Sequence, residues 1–334
     1  QAKARITFDE AFVQQLTVAK HKQTLEKLPA PAIPVNVPLI KKALLTLPFA
    51  LTNGQKKALW QIVQDMEFKH PMHRLLEGDV GSGKTLVALI AGLVCMNENF
   101  QTILLAPTEI LAKQHYDSVR EFLKQLPKPY NNIQTALLTN QYRLVDEKST
   151  TKLLLNKKIQ TGKVEFLVAT HAIFYSTLKF YNLGLVIIDE QHRFGVQQRA
   201  ELAKPFQSYK QKKLQAPHLL SMTATPIPRT LALTAFGDLD ISILDELPHG
   251  RKPITTTIVK NDQRSQTYEF IKTQLKTGRQ AFIIAPRVEE DSQSIKASVK
   301  QMFEEMSKIF TGYKLGLLYG NMKGADKEAV MTSF

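Results

Sequence analysis

The stretch Gly78-Asp79-Val80-Gly81-Ser82-Gly83-Lys84-Thr85 fits G-x-x-x-x-G-K-[ST], the pattern of a phosphate-binding P-loop. Its glycines allow backbone angles that a Cβ would forbid, so several N–H groups can turn toward one anion. Lys84 can place its charge on the β- and γ-phosphates, and the Thr85 hydroxyl can bind Mg²⁺. We therefore expect residues 78–85 to bind a nucleoside triphosphate.

The flanks of this loop support that interpretation. Arg74-Leu75-Leu76 is typical of a short strand that enters the loop, and Leu86–Met96 of a buried helix that leaves it. The N-terminal end of such a helix would face the phosphates. A plain glycine-rich turn is the alternative, and the Lys-Thr pair in register disfavours it.

Composition limits the class of protein. The 334 residues are enough for two domains, and the formal net charge of +14 favours a polyanionic partner, although many basic proteins bind no nucleic acid. The single cysteine, Cys95, excludes an internal disulfide. The apolar run at Leu86–Met96 is too short to span a bilayer, and no signal peptide is visible at Gln1. We expect a cytoplasmic protein without membrane contact.

Strands and helices alternate from Leu47 onward, after a helical segment at residues 1–28 and a proline-rich extended linker at 29–38. This alternation predicts an α/β fold with a parallel sheet covered by helices on both faces. The apolar strand candidates in the first domain are Thr102–Ala106, Ile133–Leu138, Phe166–Ala169, Leu185–Ile188 and Leu219–Met222.

A second domain is predicted after the segment Asp245–Pro253, where the alternation begins again. We expect three parts: residues 1–45 as a helical segment and linker, 46–244 as the nucleotide-binding domain, and 245–334 as the first part of another domain. The elements expected in the last part are strands at Thr255–Val259, Ala281–Ala285 and Lys314–Leu318 and helices at Gln263–Lys276 and Ser292–Phe310.

The run Leu185–Ile188 ends in two carboxylates, Asp189 and Glu190. Because the carboxyl ends of parallel strands face the ligand crevice, these acids are expected beside the P-loop. Asp189 would hold Mg²⁺ through water, and Glu190 would orient or deprotonate the attacking water. Two incidental acids at a solvent-facing strand end are the alternative.

Asp189-Glu190-Gln191-His192 narrows the class, because a D-E-x-H/Q box with a P-loop marks superfamily 2 helicases and translocases. Gln191 and His192 would then relay the state of the γ-phosphate to the second domain. The alternative for His192 is a local cap or a surface residue.

Three further patterns fit a helicase or translocase, and each also has an ordinary structural explanation. Thr223-Ala224-Thr225 resembles a coupling motif, in which Thr223 and Thr225 change hydrogen-bond partners between nucleotide states. Gln55 lies at the distance of an adenine-reading glutamine, or is simply exposed on a helix at Asn53–Asp65. Thr108 and Thr170-His171 each follow a strand, where they can contact a DNA backbone or serve as ordinary helix caps.

Taken together, the P-loop, the box at 189–196 and the run Met222–Thr230 resemble the RecG family of bacterial ATP-dependent DNA helicases, which remodel stalled replication forks. Asp245–Pro253 matches that family as well, and the resemblance covers nearly the whole chain. Mfd, a transcription–repair coupling translocase, shares part of these motifs. The linker and Gln191 favour RecG.

This resemblance implies two RecA-like domains, the second partial, that use ATP and Mg²⁺ to translocate on duplex or branched DNA. It implies fork regression and Holliday junction processing by a monomer at the bacterial nucleoid, with single-stranded DNA-binding protein as a further partner. A strand-splitting wedge domain would precede Gln1, and the arginine finger would follow Phe334. Arg287 is interpreted as a surface or backbone-contact residue and not as the arginine finger. We therefore expect the chain alone to be weakly active or inactive as an ATPase.

Other classes of function stay open from the residues alone. A nucleotide-binding module that senses ATP without remodelling DNA would need the same P-loop, and an Mfd-like translocase would share the acidic box. A P-loop transporter or kinase is disfavoured, because the chain has no ABC-type signature and no acceptor-substrate pocket that we can identify.

Overall fold

The computed structural model describes residues 2–170, 178–190, 206–207, 214–225, 239–246, 254–285, 292–320, 322 and 324–334. The chain divides into two compact units, Gln1–Arg251 and Lys252–Phe334. No helix in the described part of the chain is long and apolar enough to cross a membrane.

The first unit alternates helices and strands. Its helices are α1 (Ala2–Glu26), α2 (Val37–Leu45), α3 (Asn53–Asp65), α4 (Lys84–Asn97), α5 (Glu109–Gln125) and α6 (Lys152–Gln160). Its strands are β1 (His73–Gly78), β2 (Gln101–Leu105), β3 (Thr135–Leu138), β4 (Arg143–Val145), β5 (Lys148–Ser149), β6 (Phe166–Ala169), β7 (Leu183–Ile188), β8 (Phe206–Gln207), β9 (Leu214–Gln215), β10 (His218–Thr223) and β11 (Asp240–Leu244).

Nine of these strands form one sheet in the order β11-β1-β10-β7-β2-β6-β3-β4-β5, and β8 and β9 form a separate pair. The pairings from β11 to β3 are parallel, and β4 and β5 are antiparallel. The predicted parallel sheet is therefore confirmed, with an antiparallel hairpin added at one edge. All parallel strands end at the same side, here called the carboxyl edge, and begin at the opposite amino edge.

Successive residues of the central strands pack against different faces. In β2, Leu104 joins the apolar cluster under α4 and α5, whereas Ile103 and Leu105 join the cluster that includes Leu155 and Ile159 of α6. Because helices cover both faces, every position of these strands is buried, which is why they read as continuous apolar runs in the sequence.

Strand β11 was not predicted, because its sequence Asp-Ile-Ser-Ile-Leu places a polar residue at the centre. The structure buries Ser242 by pairing it on both sides. Arg74 Nη1 donates to Ser242 Oγ at 2.9 Å, and Ser242 Oγ donates to Gln61 Oε1 at 2.6 Å. Arg74 also forms an ion pair with Asp65 at 2.6 Å. A buried polar group that is hydrogen-bonded in this way carries little penalty.

The proline-rich segment lies outside helices and strands only over residues 29–36, because Val37 and Pro38 already belong to α2, and it is not a free linker. Its residues alternate buried and exposed from Pro31 to Pro34. Ala30 N donates to Lys69 O at 2.8 Å, and Ile33, fully buried, donates through its N–H to Met66 O at 2.8 Å. We call residues 29–36 the strap, because they bind along the amino edge of the sheet.

The second unit contains α7 (Arg264–Lys276), α8 (Ser292–Ile309) and α9 (Gly324–Ser333), so its two predicted helices are confirmed. The strands predicted at 255–259, 281–285 and 314–318 are wrong for this structure, because these described segments have no sheet partner. Ile258 and Ile284 remain 93% and 89% exposed. An apolar pattern forms a strand only where a neighbouring strand accepts its hydrogen bonds.

Candidate nucleotide-binding site

The P-loop joins β1 to α4 at the carboxyl edge. Gly81 and Gly83 have φ values of 78° and 87°, in the left-handed region that favours glycine. A Cβ on Gly78 would lie 2.6 Å from Ser82 Oγ, so this position also needs glycine. The loop therefore forms a cradle that any side chain would fill. Within the described residues, the buried Ser82 hydroxyl has no hydrogen-bond partner, as expected of a group that awaits a ligand.

Lys84 closes the cradle. Its ammonium donates to Gly78 O at 2.6 Å and to Asp79 O at 2.9 Å, and the residue is only 9% exposed. Burial lowers the pKa of Lys84, and the nearby carboxylates of Glu190 and Asp189 oppose that shift. Two backbone carbonyls are weak partners for a buried cation, so phosphate oxygens can replace them at a gain in energy.

Gln55 is buried against the P-loop rather than exposed on its helix. Its Oε1 accepts from Thr52 N at 2.9 Å in a capping box, and its Nε2 donates to Ser82 O at 2.7 Å. A Cβ on Gly83 would lie 2.4 Å from the same Nε2. In this conformation Gln55 supports the loop, and adenine recognition stays a prediction.

The start of α3 also binds the segment predicted as the domain boundary. Asn53 N donates to Glu246 Oε2 at 3.0 Å, and a Cβ on Gly54 would lie 3.2 Å from Asp245 Oδ1. The two acids therefore lie at the positive end of the α3 dipole. One helix thus contacts both the P-loop, through Gln55, and the chain that leads toward the second unit.

Asp189 follows β7 at the carboxyl edge, and its N–H donates to Leu105 O at 2.9 Å. Its carboxylate is held by His115, whose Nε2 donates to Asp189 Oδ2 at 2.7 Å, with both side chains 13% exposed. This bond leaves Oδ1 available for a metal-bound water. The sequence analysis did not identify His115, which holds the Asp189 carboxylate in place.

Glu190 adopts φ = 50°, a left-handed conformation that costs a residue with a Cβ about 1–3 kcal/mol. Such strain at the end of a buried strand is common at functional sites. Gln191 and His192, predicted to relay the nucleotide state, lie outside the described residues.

The predicted coupling residues are in contact with each other. Thr223 Oγ1 and Thr225 Oγ1 are 2.9 Å apart, and Thr225 N donates to Thr223 Oγ1 at 3.3 Å. Thr223, at the end of β10, is 1% exposed. A hydroxyl pair of this kind can exchange partners without moving the backbone, which fits the predicted role without testing it.

The predicted DNA contacts differ in exposure. Thr108 is exposed at the N-cap of α5, where its hydroxyl accepts from Leu111 N at 3.3 Å. Thr170 is 1% exposed, and its hydroxyl has no hydrogen-bond partner in the described part of the chain. Burial of Thr170 does not fit direct DNA contact in this conformation. His171 lies outside the described residues.

A model of the DEAD/DEAH box helicase family matches residues 52–234, which is more than half of the chain. The match begins at Thr52, the N-cap of α3, and includes the P-loop, the Asp189–Glu190 pair and the Thr223–Thr225 pair. The chain belongs to the DEAD/DEAH box helicase family. Its parallel sheet is therefore the RecA-like sheet of a helicase.

Relatives of this helicase are similar over its whole length. It is 43% identical to the ATP-dependent DNA helicase RecG of Synechocystis sp., over 100% of this chain and 38% of the relative. It is 42% identical to RecG of Aquifex aeolicus, over 99% of this chain and 40% of the relative. The chain therefore spans about two fifths of the length of these curated relatives.

A solved structure described as RecG bound to a three-way DNA junction is similar as well. It has 37% sequence identity and a TM-score of 0.78 over 99% of this chain and 41% of that one. This match covers both compact units, so the predicted fold class, including a partial second RecA-like domain, is confirmed despite the three missing strands. The predicted resemblance to the RecG family is confirmed too.

The helicase site fits a nucleotide and a magnesium ion. The cradle at Gly78, the buried Ser82 hydroxyl and the Lys84 ammonium match the shape and charge of phosphates. The structure contains no group of three or more possible metal-ligating side chains within its described residues. At P-loops, phosphates and waters supply most Mg²⁺ ligands, and Thr85 and Asp189 would add the protein's share.

Proposed function

We propose that this chain is the core of an ATP-dependent DNA helicase that remodels branched DNA in recombination and repair. The specific reactions would be regression of stalled forks and processing of Holliday junctions. The observation that carries the proposal is the similarity to RecG helicases along the entire chain, together with the RecG structure bound to a three-way junction. The chain represents only part of those relatives, so their full activity is proposed and not observed here.

The ATP chemistry would use the residues already gathered at the carboxyl edge. Lys84 and the backbone N–H groups of residues 78–85 would bind the β- and γ-phosphates. When bound, Mg²⁺ would neutralise charge on these phosphates. Thr85 and Asp189 would hold it, with His115 fixing the Asp189 carboxylate. Glu190 would orient the attacking water, and Gln191 and His192 would report the nucleotide state.

DNA binding would use the same edge of the sheet. Thr108 is exposed there, and the net charge of +14 supports a largely electrostatic interaction with phosphates. Thr170 would need a local rearrangement to reach the backbone. We further propose a monomer at the nucleoid in the bacterial cytoplasm, with single-stranded DNA-binding protein as a partner.

Three parts of the chain would have different roles in this activity. Residues 46–244 would form the ATP-binding helicase domain, 245–334 the N-terminal part of the second helicase domain, and 1–45 the segment that joins a wedge domain. The arginine that completes hydrolysis would come from outside these residues, so the chain alone would be a weak or inactive ATPase. Efficient DNA-stimulated hydrolysis by the isolated chain would contradict that assignment.

A synthetic fork with fluorescently labelled strands tests the function in the natural protein that contains this chain. With ATP and Mg²⁺, we expect the nascent strands to anneal and a four-way junction to form. The matched control is Glu190→Gln, which should still bind ATP but lose remodelling. ATP and DNA binding without any strand rearrangement would overturn the proposal and favour a nucleotide-sensing module.

A further inference from the structure

The hairpin of β4 and β5 turns at Asp146 and Glu147, which have φ values of 47° and 69°. Two successive left-handed residues form the kind of tight turn that hairpins prefer, but glycine or asparagine normally occupies these positions. Here neither residue is glycine. The hairpin therefore holds a conformation that its own sequence disfavours, and other contacts must stabilise it.

Those contacts come from α5. Arg120 donates to Asp146 Oδ1 at 3.0 Å and to Glu147 Oε1 at 2.9 Å, and Tyr116 Oη accepts from Glu147 N at 2.8 Å. Lys124 adds a bond to Glu147 at 3.3 Å. Burial would lower the pKa of Arg120, but its bond to Glu147 and the nearby carboxylates raise it overall. Both acids of the hairpin are thus neutralised on the α5 side.

The basic residues of the hairpin face the other way. Arg143 and Lys148 share a face with Val145, because Lys148 pairs with Val145 and Arg143 lies two positions before it. Val145 packs with Leu155 and Ile159 of α6. Arg143 and Lys148 therefore lie on the α6 side of the sheet, where Lys152 begins that helix.

We call Arg143, Lys148 and Lys152 the basic edge. All three are exposed, and none has an ion pair with any residue that the structure describes. From residue 143 to 163 the chain carries six basic and two acidic residues. Because Arg120 and Lys124 neutralise those two acids on the opposite face, the acids of this segment do not compensate the charge of the basic edge.

The basic edge continues the surface that starts at Thr108. Arg143 pairs with Leu138, the last residue of β3, and is therefore at the carboxyl edge. In the loop between them, Gln141 N donates to Glu109 Oε1 at 3.3 Å, next to Thr108 at the start of α5. Basic residues on an edge strand can also serve only to prevent sheet-to-sheet association. Arg143 and Lys152 are outside β5, which is the edge strand, so that explanation covers Lys148 alone.

We propose that the basic edge binds the phosphate backbone of DNA and extends the DNA path beyond Thr108 to the end of the sheet. This inference rests on the proposed function and names a further surface for it. The hairpin positions Arg143 and Lys148, and α5 fixes the hairpin through Arg120. The expected contact is with phosphates and not with bases, since the basic edge offers charge without a fixed pattern of donors and acceptors.

Salt-dependent binding of a fluorescent duplex to the full chain tests this surface. The double variant Arg143→Ala with Lys152→Ala should reduce the slope of log affinity against log salt by about 2, since each phosphate contact contributes about 0.9. The matched control is Lys157→Ala with Lys163→Ala. These two lysines have the same exposure and charge but lie toward the amino edge, so the slope should stay near that of the parent chain.

Four outcomes decide between the explanations. If the double variant Arg143→Lys with Lys152→Arg has the parent chain's slope of log affinity against log salt, the result supports phosphate contact. Equal losses in both alanine pairs would overturn the basic edge while leaving DNA binding, and the proposed function, in place. No DNA binding by the parent chain would overturn both. Selective loss of binding to a polyglutamate peptide, with DNA binding unchanged, would reassign the basic edge to an acidic protein.

Discussion

The amino and carboxyl edges of the sheet both carry buried polar side chains, but they use them differently. At the amino edge, His218 accepts from Met72 N at 3.0 Å through Nδ1 and donates to Pro31 O at 2.7 Å through Nε2. Gln101 similarly donates to Ile159 O and Val164 O. These bonds join fixed parts of the fold to each other.

At the carboxyl edge, the polar groups are poorly matched by the protein alone. Within the described residues, Lys84 donates its hydrogen bonds to backbone carbonyls and the Ser82 hydroxyl has no partner, and Glu190 has a strained backbone. The amino edge therefore contributes mainly to stability, and the carboxyl edge mainly to ligand binding. Substitutions at the two edges should therefore separate these two quantities.

The largest effect is expected at the amino edge. His218→Ala removes two hydrogen bonds, leaves Met72 N buried without an acceptor and opens a cavity, at a cost of about 2–4 kcal/mol in the free energy of unfolding. Urea denaturation measures this loss. Nucleotide affinity, measured under native conditions, should not change. A lower affinity for ATP in a folded His218→Ala chain would show that the amino edge also affects nucleotide binding.

The next largest effect is expected at the carboxyl edge, where a substitution should change nucleotide affinity and leave stability nearly unchanged. Lys84→Ala should weaken binding of a fluorescent ATP analogue by about 2–3 kcal/mol, because a charge-assisted hydrogen bond to phosphate is lost. Stability should change little, since Lys84 is buried and its hydrogen bonds within the described residues are to two backbone carbonyls. Lys56→Ala, an exposed lysine on α3, is the matched control and should leave both quantities unchanged.

A smaller effect on ligand binding is expected at His115, which contacts the Asp189 carboxylate. His115→Ala should raise the Mg²⁺ concentration needed for nucleotide binding by about tenfold, the lower end of the range for residues that orient a metal ligand. Titration of Mg²⁺ at fixed nucleotide measures it. His115→Gln can still donate a hydrogen bond and should recover part of the loss. An unchanged Mg²⁺ requirement in both variants would show that His115 is only structural.

The smallest effect is a pH dependence of stability at the amino edge. The pKa of His218 is lowered to about 4, chiefly by burial and to a smaller extent by nearby His73 and His70, while the bond to Pro31 opposes the shift. The neutral ring stabilises the fold fully above the ordinary pKa of 6.5, and this contribution is lost as pH falls toward 4. Between about pH 7 and pH 6 the loss is below about 1 kcal/mol. Between pH 7 and pH 6, the free energy of unfolding of His218→Ala should fall less than that of the parent chain. An equal fall in both would contradict the role of His218 in this pH dependence.

The sequence predicted the centre of this fold well because burial on two faces leaves a strong signal. Runs such as Phe166–Ala169 and Leu185–Ile188 are apolar at every position, and the P-loop requires particular residue types. Helix α3 was predicted at its observed bounds, Asn53–Asp65. The hairpin and β11 were missed, because they are short and carry polar residues whose partners are distant in the chain.

The candidate site was predicted in part for the same reason. Residues within contiguous motifs, from Gly78 to Thr85 and at Asp189–Glu190, meet at one edge as expected. His115 was missed because its partner is 74 residues away. The available signal was a titratable side chain beside the buried stripe of α5, a helix that begins at the carboxyl edge. The burial of Thr170 could not be predicted, because a position directly after a strand can be either buried or exposed.

The strap has a mechanical consequence. Backbone bonds join Ala30 and Ile33 to the connection between α3 and β1 and join Pro29 to Ala216, and the His218 ring joins Pro31 to β10. Helix α1 precedes it, and Lys22 of that helix pairs with Asp240 at 2.9 Å. A chain fastened in this way has no slack. A displacement of α1 would therefore be transmitted through the strap to the sheet that carries the P-loop.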